Sequence, residues 1–349
     1  MSENWINHAM LTATTEKLTL RFKQPAGTSR GVLHSKNSWI LKISDSNKPD
    51  IFGTGEISII EGLSPEWNDV FETFVNEVAL DIQSYAERPE LLEEFPSIRF
   101  AVESALRDLT NGGNGVLFPS NFTGGKAGIR INGLIWMGTP EFMLEQIETK
   151  INTGYKCLKL KIGALDFDRE IEILNSIRKR FTSDDLMLRV DANGAFTPEE
   201  CEIKLKALAT FNIHSIEQPI KSGNAEALRK ICANSPIPVA LDEELIGIYD
   251  PAKKSELIRF IQPQYLVLKP SLLGGFKTTQ EWIDVAEKNR VKWWITSALE
   301  SNIGLSAIAQ FAFKVQKGQY QGLGTGQLYE NNVPSSLVVE GDLLYLKAK

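Results

Sequence analysis

The stretch YKCLKLKIG, residues 155–163, decides how the rest of the chain is read. As a strand it places Lys159 and Lys161 on one face and Leu158, Leu160 and Ile162 on the other. An isolated KxK suits an edge strand with its lysines in water. Four later segments point elsewhere: LRVDANG with Asp191, SIEQP with Glu217, VALDEE with Asp242 and LVLKPSLLGG with Lys269. Each closes a short run of Ile, Val and Leu, and each leads through turn residues into a helix-like pattern. Lys161, Asp191, Glu217, Asp242 and Lys269 follow one another at intervals of 30, 26, 25 and 27 residues. That is the length of a strand, a turn, a helix and a second turn. The charged residues therefore recur once per βα unit, and a parallel barrel brings its strand ends to one mouth. Lysines and carboxylates converging there would be costly unpaired, which favours a cation between the carboxylates.

The 349 residues suffice for a barrel-sized domain and a smaller one, and 42% hydrophobic with 23% charged residues is usual for a soluble globular chain. A net charge of −6, without a dense Lys/Arg run, excludes a nucleic-acid surface. No apolar run reaches membrane-spanning length, and MSENWINHAM lacks the layout of a signal peptide, so a cytoplasmic protein is expected. Cys157, Cys201 and Cys232 suit small buried thiols rather than a disulfide framework. His8, His34 and His214 show no ligand spacing, which removes a His-bound zinc site and a Ser-His triad.

Residues 18–22, 39–43 and 57–60 read as three antiparallel strands, with QPAGTSRGVLHSKN (24–37) as a long loop between the first two. Thr28 to Gly31 within it are expected to act as a lid, and Ser29 and Arg30 to contact substrate. Residues 65–85 and 96–108 read as helices, the second with Ile98, Val102, Ala105 and Leu109 on one face. Three parts follow: an α+β capping domain (1–124), a (β/α) barrel carrying the site (125–325) and a tail (326–349) that returns to the capping domain. The barrel is expected to begin with IRINGLIW (129–136) as one strand and to close with a strand near Leu323. Thr197-Pro198-Glu199-Glu200 is a helix start with a capping box, which sets Asp191 at a strand end.

Asp191, Glu217 and Asp242 make a reasonable octahedral Mg²⁺ site, with Mn²⁺ as the alternative. Glu243 reads as a supporting partner and Glu244 as a solvated or helix N-terminal acid. Lys159 and Lys161 lower one another's pKa, and a neutral lysine can remove a proton α to a carboxylate while a cation holds the enediolate. Lys269 approaches from the opposite side as a second acid/base or as a fixed charge. Ser297 is placed either as a contact to a substrate carboxylate or as a loop cap.

KLKIG, RVDANG, IEQP, ALDEE and LKPSLLGG together resemble the enolase superfamily in its muconate-lactonizing subgroup, over nearly the whole chain. The resemblance implies a modified, enolase-type barrel capped by an α+β domain. It assigns Lys161 as the base, Asp191, Glu217 and Asp242 as magnesium ligands, and Lys159 as the group that steadies the enediolate. Lys269 would stabilise the intermediate through a cation–π contact. TSRGV, GTGE, NGLIWMG, SALESNIGL and GLGTGQLYENN resemble members that remove water, syn, from 2-succinyl-6-hydroxy-2,4-cyclohexadiene-1-carboxylate in menaquinone biosynthesis. The alternative within the superfamily is racemisation of an N-acylamino acid or epimerisation of a dipeptide, and outside catalysis a metal-binding scaffold. Either enzyme takes a small carboxylate substrate.

Overall fold

The computed structural model describes residues 10–28 and 31–347. Strands β1 (Leu11–Thr28), β2 (Gly31–Asp45) and β3 (Lys48–Ser58) form an antiparallel sheet in that order. Helices α1 (Phe71–Leu80), α2 (Ile82–Glu87) and α3 (Pro96–Thr110) cover one of its faces. Gly53 and Gly55 let β3 lie against α3: a Cβ on Gly55 would come within 2.0 Å of the Ala101 carbonyl oxygen. Gly55→Ala is therefore expected to destabilise the protein by about 3 kcal/mol, read as a lower urea midpoint with an unchanged slope.

Two expectations change here. The segment 24–37 is no loop, because β1 and β2 run on as a two-stranded arm paired Ala26 to Leu33 and Thr28 to Gly31. The register shifts between Arg21 and Ala26, and Phe22 bridges to Tyr329 instead. The tip of the arm, with Ser29 and Arg30, lies outside the described residues. The helix expected over 65–85 starts at Phe71 and breaks at Asp81, whose ψ of 39° leaves the helical region. That break leaves Leu80 in solvent while Val75, Val78, Ile82 and Tyr85 stay buried.

The barrel is a seven-stranded parallel sheet. After β4 (Ile129–Arg130) come β5 (Gly133–Ile135), β6 (Cys157–Lys161), β7 (Met187–Asp191) and β8 (Ser215–Glu217). Then follow β9 (Val239–Leu241), β10 (Tyr265–Leu268) and β11 (Lys292–Ile295). Of these strands, β5 to β11 form the barrel sheet. The expected first strand, 129–136, is split at Ile131: β4 pairs instead with the hairpin β12 (Leu337–Glu340) and β13 (Leu343–Leu346). A run of apolar residues carries no mark of which distant strand each half will join. The expected closing strand near Leu323 shrinks to Gln321 and Gly322, which bond to Arg130, Asn132, Ile295 and Ser297. The tail divides: Leu328 to Asn331 bond to β1, while the β12–β13 hairpin lies on the barrel side.

All five residues of β6 are buried, as expected of a parallel strand covered on both faces. Leu158 and Leu160 join the core beneath the helices, which leaves Lys159 and Lys161 on the barrel's inner face. The capping box at the start of the helix Pro198–Ala209 is formed, Thr197 and Glu200 each bonding the other's backbone N–H. Among the described residues no helix is long and apolar enough to cross a membrane.

Candidate active site

Each charged residue picked out by spacing stands at the C-terminal end of a barrel strand. Lys161, Asp191 and Glu217 end β6, β7 and β8, while Asp242 and Lys269 directly follow β9 and β10. Register makes them neighbours, since Lys161 pairs with Asp191 and Asp191 with Glu217. The Lys159 ammonium lies 2.8 Å from Glu217 Oε2 and 3.2 Å from Asp191 Oδ2. Lys161 Nζ donates to Asp191 Oδ2 at 3.1 Å and to Asn193 Oδ1 at 2.6 Å. Across the barrel Lys269 Nζ donates to Asp242 Oδ2 at 2.5 Å. Gln218 fixes the loop that carries Asp242, its Oε1 accepting from the backbone N–H groups of Asp242 and Glu244.

The electrostatics divide the lysines. Burial pulls Lys161 below the ordinary lysine range, and the Lys159 and Lys269 charges add to it against the opposing pull of Asp191. Burial acts the same way on Lys159, but Glu217 and Asp191 outweigh it and hold that ammonium above its usual value. Lys269 is likewise raised, with Asp242 overcoming burial. Burial is thus the leading reason Lys161 can shed its proton, ahead of the like-charge effect expected from the KxK pair. Burial also pushes Glu217 up to about 7 and Asp242 up to about 6, whereas the two lysines hold Asp191 below the carboxylate range despite burial.

Among the described residues no three His, Cys, Asp or Glu side chains are gathered as a ready metal cluster. Ammonium groups lie between the three carboxylates. Their chemistry nonetheless fits a hard divalent cation: all donors are oxygens, and Glu217 Oε1 is buried without a hydrogen-bond partner.

The mouth opens into a cavity of about 200 Å³. Gly31, Val32 and Leu33 of the β1–β2 arm form one wall, Trp136 and Leu134 another, and Ser297 and Leu299 a third. The ring of Trp136 has its centroid 5.8 Å from Lys161 Nζ.

The family model described as enolase C-terminal domain-like matches residues 143–347. An o-succinylbenzoate synthase of Desulfotalea psychrophila is 45% identical over an alignment that covers 93% of this chain and 96% of that protein. The chain belongs to the enolase superfamily. The crystal structure of MenC from Desulfotalea psychrophila superposes with a TM-score of 0.85 at 42% identity, covering 96% of this chain and 99% of that one. An L-Ala-D/L-Glu epimerase of Bacillus subtilis is 24% identical, with 85% of this chain and 83% of that protein covered. A muconate lactonizing enzyme of Pseudomonas fluorescens shares the fold, with a TM-score of 0.82 at 21% identity and coverage of 98% and 95%.

Within this enolase-superfamily barrel several groups take places that the sequence did not reveal. Asn193, in the left-handed region at φ 44°, links Lys161 to Glu243 by accepting from the one and donating to the other. Glu244 is buried rather than solvated and accepts from the Gly223 N–H, because the turn before the helix Ala225–Asn234 folds over it. Ser297 lines the cavity, but its hydroxyl already donates to Glu300 and accepts from Thr325 and the Leu299 N–H. Two further acids, Glu56 and Glu300, are fully buried where the capping sheet meets the barrel. Glu56 accepts from Ser38, from the hydroxyl and N–H of Ser301, and from the Gly304 N–H at the start of the helix Asn302–Val315. A negative charge on a helix N-terminus thereby ties the two domains together.

Proposed function

We propose that the chain is an o-succinylbenzoate synthase, a carbon–oxygen lyase that dehydrates 2-succinyl-6-hydroxy-2,4-cyclohexadiene-1-carboxylate to 2-succinylbenzoate. The observation that carries this reading is the near full-length relationship, at 45% identity, to an o-succinylbenzoate synthase; the epimerases lie at 24–25%.

Lys161 is the base. Its lowered pKa supplies a fraction of neutral amine, and Asn193 and Asp191 aim it into the cavity. It takes the proton from the carbon α to the substrate carboxylate. The C–O bond to the hydroxyl then breaks on the same face, and the Lys161 ammonium returns that proton to the departing oxygen as water. The ring becomes aromatic, and the base is regenerated in one cycle. Lys159 and Lys269, both held protonated, face the extra negative charge from two sides. Asp191, Glu217 and Asp242 would hold Mg²⁺, or Mn²⁺, which when bound supplies further positive charge to the carboxylate as it becomes an enediolate. The three buried cysteines suit a cytoplasmic setting.

The test is a steady-state assay of the purified protein with the cyclohexadiene carboxylate, following ultraviolet absorbance of the aromatic product. Absence of product, with solvent deuterium instead entering an N-acylamino acid or dipeptide, would transfer the chain to the epimerase reading.

Gly31, Val32 and Leu33 of the β1–β2 arm line the cavity, which supports a lid role over the substrate for residues 28–31. Arg30→Ala is expected to lower kcat/KM about tenfold or more with little change in melting temperature. Hydrogen exchange across residues 28–31 should slow when product binds. Identical exchange with and without product removes the lid role.

A further inference from the structure

The opposite end of the barrel holds a second charged cavity. Arg189 lies on β7 two residues before Asp191, on the same inner face, so its backbone is about 7 Å further down the strand than Asp191 and level with Lys159. Its side chain is only 2% exposed. The guanidinium lies over Trp294, with its carbon 4.0 Å from the ring centroid, and Nη1 donates to the Tyr320 carbonyl at 3.1 Å. Nε is buried and has no hydrogen-bond partner, and among the described residues no carboxylate is within ion-pair distance of the group. Every catalytic lysine, by contrast, has a carboxylate beside it. A buried guanidinium with so little compensation is costly, and an oxyanion is the group whose geometry matches its fork.

The surroundings agree. Arg189 faces a cavity of about 650 Å³ that opens at the N-terminal ends of the strands. Its rim carries Arg290, Lys292 and Lys317 against a single acid, Glu287, which Lys317 engages. The inner wall is aromatic: His214, Tyr265 and Trp294 lie against one another with centroids 5.0–6.4 Å apart. The Tyr265 hydroxyl is tied to His214 Nε2, and His214 Nδ1 to Ser215, so the wall is braced. An aromatic wall around a buried guanidinium, entered past three basic side chains, is built for a small anion with a planar or compact oxygenated head.

We propose that this barrel-floor cavity is a second ligand site, which takes a small oxyanion, phosphate or carboxylate, on Arg189 between Trp294 and the Lys292/Lys317 rim. The proposal is independent of the reaction at the other mouth.

Thermal unfolding of the full chain, titrated with inorganic phosphate in one arm and acetate in the other at constant ionic strength, tests it. A saturable rise in melting temperature is expected from at least one anion, and the arm that saturates at lower concentration identifies the head group. Lys292→Gln with Lys317→Gln should weaken the apparent affinity about tenfold while leaving turnover unchanged. Arg189→Gln should abolish the response. No saturable rise with either anion overturns the site, as does a rise that persists unchanged in the rim variant. A response lost in Lys161→Ala but kept in the rim variant places the anion at the catalytic mouth and also overturns it. Should Arg189→Gln fail to fold, the rim variant alone decides.

Discussion

Turnover is expected to vanish when divalent cations are removed, and to return when Mg²⁺ or Mn²⁺ is restored. The carboxylates of Asp191, Glu217 and Asp242 are buried at the mouth, and the charges opposite them are the ammoniums of Lys159, Lys161 and Lys269. That arrangement keeps the barrel neutral and folded without an ion, so circular dichroism should barely change in excess chelator. It does not favour reaction, because α-proton loss adds negative charge to a place already holding three acids. Glu217→Gln is expected to reduce kcat about a thousandfold or more and to weaken Mn²⁺ binding measured by calorimetry. Asp191→Asn should do the same and also lower the melting temperature, since Asp191 is the shared partner of Lys159 and Lys161. Full turnover in excess chelator, or unaltered Mn²⁺ binding by both variants, would end the metal role of these residues.

The barrel was legible because its units repeat a grammar the chain states openly: an apolar run, a charged residue at its end, turn residues, a capped helix. The helix Pro140–Asn152 begins at a capping Thr139 and ends where the pattern does. The β1–β2 arm was not legible, since a ribbon with much of both faces in water shows little alternation between 24 and 37. Residues 129–136 misled for the opposite reason: their apolar continuity is real, but the partner of Ile129 is Leu344, far away in sequence. Glu56, Glu300 and Arg189 look like surface residues in the chain, and only burial reveals what they do. Asn193 carried a faint signal in the DANG turn, where asparagine tolerates positive φ more readily than most residues.

Lys161→Ala is expected to cut single-turnover rates by several orders of magnitude while ligand binding persists, and Lys161→Arg to fare no better. A guanidinium stays protonated and has no lone pair to offer a carbon acid. Lys269 stands differently in the dehydration, where the proton is taken and returned on one face and only a positive charge is needed opposite. Its pKa is raised by Asp242, which suits a fixed cation and not a base. Lys269→Arg should therefore keep more activity than Lys161→Arg, with a loss of roughly a hundredfold from displaced geometry. An epimerase would need both lysines as proton carriers on opposite faces of one carbon, and the two arginine variants would then be equally dead. The measurement is the single-turnover rate of each variant with the cyclohexadiene carboxylate, with circular dichroism to show that the fold is retained. Equal and complete loss in both would contradict one-base dehydration, because nothing in that chemistry asks Lys269 to give up its proton.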